Sequence, residues 1–348
     1  MNVRTGQAAS AGASRRSALL VAASILVVAV AAGAWFVWPR DPAYENPVLR
    51  NDAPDPTIMR AGDGSYYAYT TQSYFDATFL NVPVLRSTDL AHWVLVGDAF
   101  QQRPSWTPPG IDNGDIWAPH IVQFDDTYYL YYSARYLETA RMAIGVAISD
   151  SPAGPFRDPL GEPLIVGEKG FDAIDPFVAQ FAGTKYIYWG SDGVPIHVQE
   201  LSDDGLALTG QRRDVLAPSS RPYEGLIEGA WVLQHDESFY LMYSGDGCCG
   251  EDAHYAVMVA RSSSPTGPFV RNPANPILES NDRFFAPGHN ATVQDGAGDD
   301  WIVYHSMIRG DFTNYRYLFV DPIEWVDGWP VVNDGTGPSA ESDSAPEA

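Results

Sequence analysis

An all-β fold of five repeated four-stranded units is predicted by two observations. The first is a recurring aromatic strand. Tyr66-Tyr67-Ala68-Tyr69, Tyr128-Tyr129-Leu130-Tyr131, Tyr186-Ile187-Tyr188-Trp189, Phe239-Tyr240-Leu241-Met242 and Trp301-Ile302-Val303-Tyr304 start 62, 58, 53 and 62 residues apart. The second is a segment that leads each strand. Asp55-Pro56, Trp117-Ala118-Pro119, Asp175-Pro176 and Glu228-Gly229-Ala230 all begin 11 residues ahead of theirs, and Gly288-His289-Asn290 leads the fifth. A period of this length, built from short β-rich pieces, marks a five-bladed β-propeller with one blade per repeat. The 31 Gly and 27 Pro suit the many tight turns such a fold needs.

The aromatic strands are read as blade packing rather than ligand contacts. Ser151-Pro152-Ala153-Gly154-Pro155-Phe156 returns as Ser264-Pro265-Thr266-Gly267-Pro268-Phe269, displaced by 113 residues, or two blade periods. Pro and Gly there mark the turn between the third and fourth strands of a blade. Arg86 to Trp93 is read as the corresponding turn of the first blade. The propeller is placed at residues 39–333, and the tail 334–348, rich in Ser, Gly, Pro and acids, is read as disordered.

Net charge is −23, and four of the 21 basic residues, Arg4, Arg15, Arg16 and Arg40, lie in the acid-free first 40. The remainder sets 17 basic against 44 acidic residues. That surface repels a phosphate backbone, so nucleic acid is excluded as a partner, whereas a neutral sugar is compatible. The chain is read as a monomer.

Residues 18–38 form an apolar, uncharged run behind Arg15-Arg16, long enough to span a bilayer as a helix. The arginines place residues 1–17 in the cytoplasm and the propeller outside, at the cell surface. A cleaved signal peptide is the alternative, because Ala32-Gly33-Ala34 has the small-x-small form of a cleavage site. Either reading exports the domain. In that compartment the two cysteines, Cys248 and Cys249, either close a vicinal disulfide or stay as two thiols, in a loop that rims a pocket. Two cysteines alone make a poor zinc site.

Three of the leading segments carry carboxylates, Asp55, Asp175 and Glu228, and equivalent radial placement would bring them together at the axis. Glycosidic hydrolysis needs one carboxylic acid to protonate the leaving oxygen and one carboxylate to activate water or attack carbon. A third nearby carboxylate raises the acid's pKa by repulsion. Asp55 is preferred to Asp52, and Glu228 to Glu224, because their offsets match the repeat.

At these residues the chain resembles glycoside hydrolase family 43, the arabinanases, α-L-arabinofuranosidases and β-xylosidases, over roughly residues 46–332. Asn51-Asp52-Ala53-Pro54-Asp55-Pro56-Thr57-Ile58 is similar to the segment holding the family's general base. Ala173-Ile174-Asp175-Pro176-Phe177 is similar to the segment whose Asp tunes the acid. Tyr223-Glu224-Gly225-Leu226-Ile227-Glu228-Gly229-Ala230-Trp231 is similar to the one holding the acid, although the family usually has Pro at Ala230. The resemblance implies an inverting mechanism and no cofactor in the chemistry. It also implies that His289, in Pro287-Gly288-His289-Asn290, lies in the central channel near a largely hydrated calcium, and that Arg316 reaches substrate. Trp117 is read as a sugar-stacking surface. The expected activity is cleavage of α-L-arabinofuranosidic linkages in arabinan or its oligosaccharides. A β-xylosidase and a non-catalytic sugar-binding propeller are the alternatives.

Overall fold

The computed structural model describes residues 43–109, 115–342 and 345–347. Five antiparallel sheets of four strands follow one another along the chain, each with its strands in sequence order. Their first strands are Thr57–Arg60, Trp117–Phe124, Phe177–Phe181, Ile227–His235 and Phe284–Gln294. Each first strand touches the first strand of the next blade, and the fifth touches the first, so they line the axis as a closed ring. The five aromatic strands are the second strands of their blades. The five-bladed all-β propeller is therefore as expected.

Aromatic side chains were selected at these strands by what a blade interface requires. A sheet face twisted against the next sheet needs large apolar bodies to fill the wedge between them. Tyr66, Tyr69, Tyr131, Tyr188, Tyr243 and Tyr304 are fully buried. Five of the core clusters each join side chains of two successive blades, including the fifth with the first. The phenol oxygens then find carbonyl partners. Tyr69 Oη donates to Pro152 O, and Tyr188 Oη donates to Pro265 O at 2.6 Å. Both carbonyls belong to the Ser-Pro-x-Gly-Pro-Phe turns, which sit between third and fourth strands as predicted and hook each blade onto the one before it. Phe156 N–H reaches Ala99 O, and Phe269 N–H reaches Val215 O, on those preceding blades.

Ring closure corrects one expectation. The tail read as disordered is tied down where it is described. Glu341–Ser342 pairs antiparallel with Tyr44–Glu45, and Glu347 N–H donates to Asp295 Oδ2 at 2.9 Å. The segment from Tyr44 also bonds the third strand of blade five, with Asn46 Nδ2 donating to Val320 O at 2.9 Å and Val48 N–H to Leu318 O. These are largely bonds to backbone, which composition does not reveal. Among the described residues no helix is long and apolar enough to cross a membrane. The expected span 18–38 and the segment before it lie outside the described residues.

Asp321 sits beneath this closure, fully buried, accepting from Tyr304 Oη and Ser339 N–H, with its Oδ1 unpaired. Burial raises its pKa from an ordinary 3.8 to about 6. A raised carboxyl pKa contributes stability that is complete below the unfolded value and is lost as pH rises through the folded one. Asp321→Asn should therefore raise Tm at pH 8 and leave it nearly unchanged at pH 4, the difference corresponding to roughly 3 kcal/mol. Equal effects at the two pH values, measured by calorimetry, would contradict a buried charge at this site.

Candidate active site

The same backbone manoeuvre recurs in every blade, just before the inner strand or within it. Asp55, Ala118, Asp175, Gly229 and His289 all have positive φ, between 43° and 62°. Glycine takes that conformation freely and Asp tolerates it, whereas Ala and His adopt it at a cost of order 1–3 kcal/mol. In the second, fourth and fifth blades a register shift accompanies it. The equivalent residues are thus Asp55, Asp175 and Gly229, so Glu228 stands one residue earlier than the radial position expected for it.

The turned-out amide of each residue is caught by the preceding blade. Ala118 N–H donates to Thr71 Oγ1 at 2.7 Å, Asp175 N–H to Ser133 Oγ at 3.0 Å, and His289 N–H to Ser244 Oγ at 2.8 Å. Asp55 N–H donates to His305 Nδ1 at 3.1 Å and closes the circle. Blade four breaks the pattern. Gly229 N–H donates to the Asp175 carboxylate, Oδ2, at 3.0 Å, and Ser191, which stands where Thr71, Ser133 and Ser244 stand, bonds Glu228 Oε2 instead. The departure from symmetry is where the three carboxylates meet.

A cavity of about 440 Å³ opens there, lined by Asp55, Asp175, Glu228, Trp117, His289 and Arg316 among others. All six side chains named from the sequence are thus brought together. Asp52 is not among them; its Oδ1 accepts the Arg316 N–H at 3.0 Å and fixes that residue's backbone. Glu224 is not either. It is buried in a structural cluster with Arg271 Nε at 2.5 Å, Ser219 Oγ at 2.6 Å and Tyr243 Oη at 2.8 Å.

Three buried carboxylates face one guanidinium, and that inequality separates their charges. Burial alone would raise the Asp55 pKa, but Arg316 Nη1, 2.8 Å from Oδ1, and the Thr71 hydroxyl at 2.6 Å hold it well below the usual carboxylate range. Asp55 is ionised. His305 Nδ1 accepts the Asp55 amide and so carries no proton, and burial lowers the pKa of both imidazoles. The contacts from His289 Nδ1 to Asp55 and Asp175, both 3.7 Å, are accordingly close approaches of a neutral ring rather than ion pairs.

Asp175 and Glu228 are both displaced upward, first by burial; repulsion from Glu228 and Asp55 adds to this at Asp175, whereas at Glu228 the Ser191 and Tyr255 hydroxyls partly offset burial and Asp55 adds repulsion. Such a pair titrates as a unit. The partners decide where its proton rests. Asp175 accepts from the Gly229 amide, an obligate donor, which favours charge on Asp175. Glu228 meets the hydroxyls of Ser191 and, at 2.8 Å, Tyr255, which can donate or accept and so tolerate a proton there.

Trp117 forms one wall, stacked on Phe171 with ring centroids 5.9 Å apart and planes inclined by 28°. Phe171, 42% exposed, is held by its own N–H to Asp192 Oδ2 at 3.4 Å. Sequence reading missed Phe171, Ser191, Tyr255 and His305. For Ser191 a signal existed: Thr71, Ser133, Ser191 and Ser244 each lie five residues beyond Tyr66, Tyr128, Tyr186 and Phe239. Cys248 and Cys249 are joined as a vicinal disulfide and also line the cavity. Among the described residues no three His, Cys, Asp or Glu converge to hold a metal. Around His289 the Asp55 and Asp175 carboxylates are engaged by Arg316, Thr71 and Gly229, so a calcium there would have to be held largely through water. No catalytic step is routed through a metal.

An ionised carboxylate and a protonated carboxylic acid, held apart in charge within one sugar-sized cavity, define an acid–base glycosidase site at the centre of a propeller. Residues 44–330 match the model of Glycosyl hydrolases family 43, and the chain belongs to that family. It is 30% identical over 298 residues to the arabinan endo-1,5-α-L-arabinosidase A of Aspergillus niger, covering 79% of this chain and 88% of that one. It is 28% identical to a xylan 1,3-β-xylosidase of a Vibrio species, over 85% of this chain and 58% of the relative. A thermostable family-43 glycoside hydrolase superposes with a TM-score of 0.73 at 28% identity, covering 88% of this chain and 99% of that one.

Replacing Arg316 by Gln removes the cation that keeps Asp55 ionised. The acid limb of kcat/KM against pH should then move upward by about 1–3 pH units. Arg316→Lys should restore part of the shift. An acid limb that stays in place would show that another group holds Asp55.

Proposed function

We propose that the protein is an inverting glycosidase acting on α-L-arabinofuranosidic linkages of arabinan or arabinose-containing oligosaccharides. One observation carries the mechanism: Asp55 is held ionised by Arg316 while the Asp175–Glu228 pair keeps a proton. Asp55 acts as base and draws a proton from water. Glu228 gives its proton to the leaving glycosidic oxygen. Asp175, anchored by Gly229 N–H, keeps charge beside Glu228 and so keeps that acid's pKa high. Arg316 orients Asp55 and presents its remaining donors to sugar hydroxyls, and Trp117 with Phe171 offers a flat apolar face for the ring.

The arabinoside assignment draws on the Aspergillus niger relative and on a non-reducing-end α-L-arabinofuranosidase of Bacteroides ovatus, 29% identical over 301 residues that make up 83% of this chain and 53% of that protein. The Vibrio relative supports β-xyloside hydrolysis as the second reading, since both sugars are pentoses. We also propose export with residues 18–38 as a membrane anchor, and a monomeric domain. Full-length protein should then resist carbonate extraction from membranes. A mature chain beginning near Trp35 in the medium would show cleavage instead.

Glu228→Ala should lose about 10²–10⁴-fold on arabino-oligosaccharides, whose leaving groups need a proton, and much less on activated aryl arabinosides. Asp55→Ala should lose activity on both classes, with little rescue by azide. Proton NMR in the first minutes should show the β-anomer released from an α-linked substrate. An initial α-anomer would make Asp55 a nucleophile and overturn the inverting assignment.

A further inference from the structure

The Cys248–Cys249 disulfide stands at the tip of the hairpin joining Ser238–Gly247 to His254–Ser262 in blade four. Its two halves face different surroundings. Cys248 is half-buried and packs on the cluster of Tyr255, Ala286 and Met307. Tyr255 is the residue whose hydroxyl reaches Glu228. Cys249 is exposed, and both cysteines line the catalytic cavity. The hairpin beneath them is held in register by Asp246 opposite Tyr255 and Gly247 opposite His254, with Asp246 Oδ2 3.4 Å from His254 Nδ1.

We infer that this disulfide is a substrate-contacting surface: its sulfurs form the apolar wall against which the sugar or its leaving group rests beside Glu228. The inference rests on the glycosidase reading above and adds a binding element that is not an acid, a base or an aromatic ring. A vicinal disulfide suits the task chemically. It is compact and polarizable, it offers no strong donor or acceptor, and it fits the C–H face of a sugar in the way thioethers fit apolar surfaces. Because Cys248 is seated on the cluster containing Tyr255, the wall is fixed relative to the acid. Two thiols would lack the bond that holds both sulfurs in one surface.

The test compares the oxidised enzyme, the same enzyme after tris(2-carboxyethyl)phosphine, and the Cys248→Ser/Cys249→Ser double variant. In the reduction the S–S bond breaks, two thiols form with protons from water, and the phosphine leaves as its oxide; intact mass confirms it. Nitrophenyl arabinofuranoside and xyloside kinetics are read alongside intrinsic tryptophan fluorescence titrations with free L-arabinose and D-xylose. The expected result is KM raised about 3- to 30-fold by reduction and by substitution, the loss of one apolar contact surface. kcat should change less than about threefold and the alkaline limb of the pH profile should not move, since Glu228 keeps its partners. The double variant should be indifferent to phosphine. Unchanged KM and unchanged sugar binding in both altered forms would overturn the inference. So would a loss confined to kcat with a moved alkaline limb, which would make the disulfide a positioning element for Tyr255. Failure of the substrate reading is separate: the untreated enzyme would then turn over neither pentoside, and the sugar titrations alone would decide the disulfide's role.

Discussion

The left-handed backbone step that recurs just before or within each inner strand is the constraint on which the rest of the site depends. It turns an amide out of the blade's own ladder, and a buried amide without a partner would cost about 1–3 kcal/mol. The preceding blade supplies the partner, Thr71, Ser133, Ser244 or His305, so that satisfying a local backbone group also fastens neighbouring blades at the axis. Four junctions use that arrangement. At the junction of blades three and four the acceptor is the carboxylate of Asp175, and the released hydroxyl of Ser191 turns to Glu228. Chemistry occupies the one place where the structural bond is exchanged.

The charge distribution follows from that geometry. Asp55, Asp175 and Glu228 are each 9% exposed or less, and a buried carboxylate stays ionised only where donors or cations compensate it. Arg316 reaches Asp55, and its own position is set by Asp52 through the backbone. Proton affinity therefore collects on the other two. The neutral imidazoles of His289 and His305, with rings 6.5 Å apart, fill the space beside Asp55 without adding a second cation that would drive the proton off the pair.

Architecture was legible because a propeller writes its period into the chain, and Tyr66, Tyr128, Tyr186, Phe239 and Trp301 are conspicuous at each repeat. Asp55 and Asp175 were legible because Pro follows each of them. Glu228 was found by counting to Phe239, and that count placed it one residue out of phase, because the register shift between Glu228 and Trp231 absorbs a residue that counting cannot see. Ser191 lies just beyond a second strand, Tyr255 in a third strand and Phe171 in a loop, where a single hydroxyl or ring is indistinguishable from blade packing until partners are known. The order of residues 338–342 was missed for a related reason: a Ser- and acid-rich stretch gives no hint that its amides and carbonyls lie beside Tyr44 and Asn46.

The central claim is that one buried carboxylate is ionised while its two neighbours hold a shared proton. Carboxyl carbon NMR on protein labelled at Asp and Glu, assigned through Asp55→Asn, Asp175→Asn and Glu228→Gln, reads it without any substrate. The account predicts that Asp55 shows no protonation step through the range where a free aspartate titrates, about pH 4, while the Asp175–Glu228 pair titrates as a coupled unit well above it. An Asp55 that protonates near the ordinary value, with the other two already ionised, would contradict it.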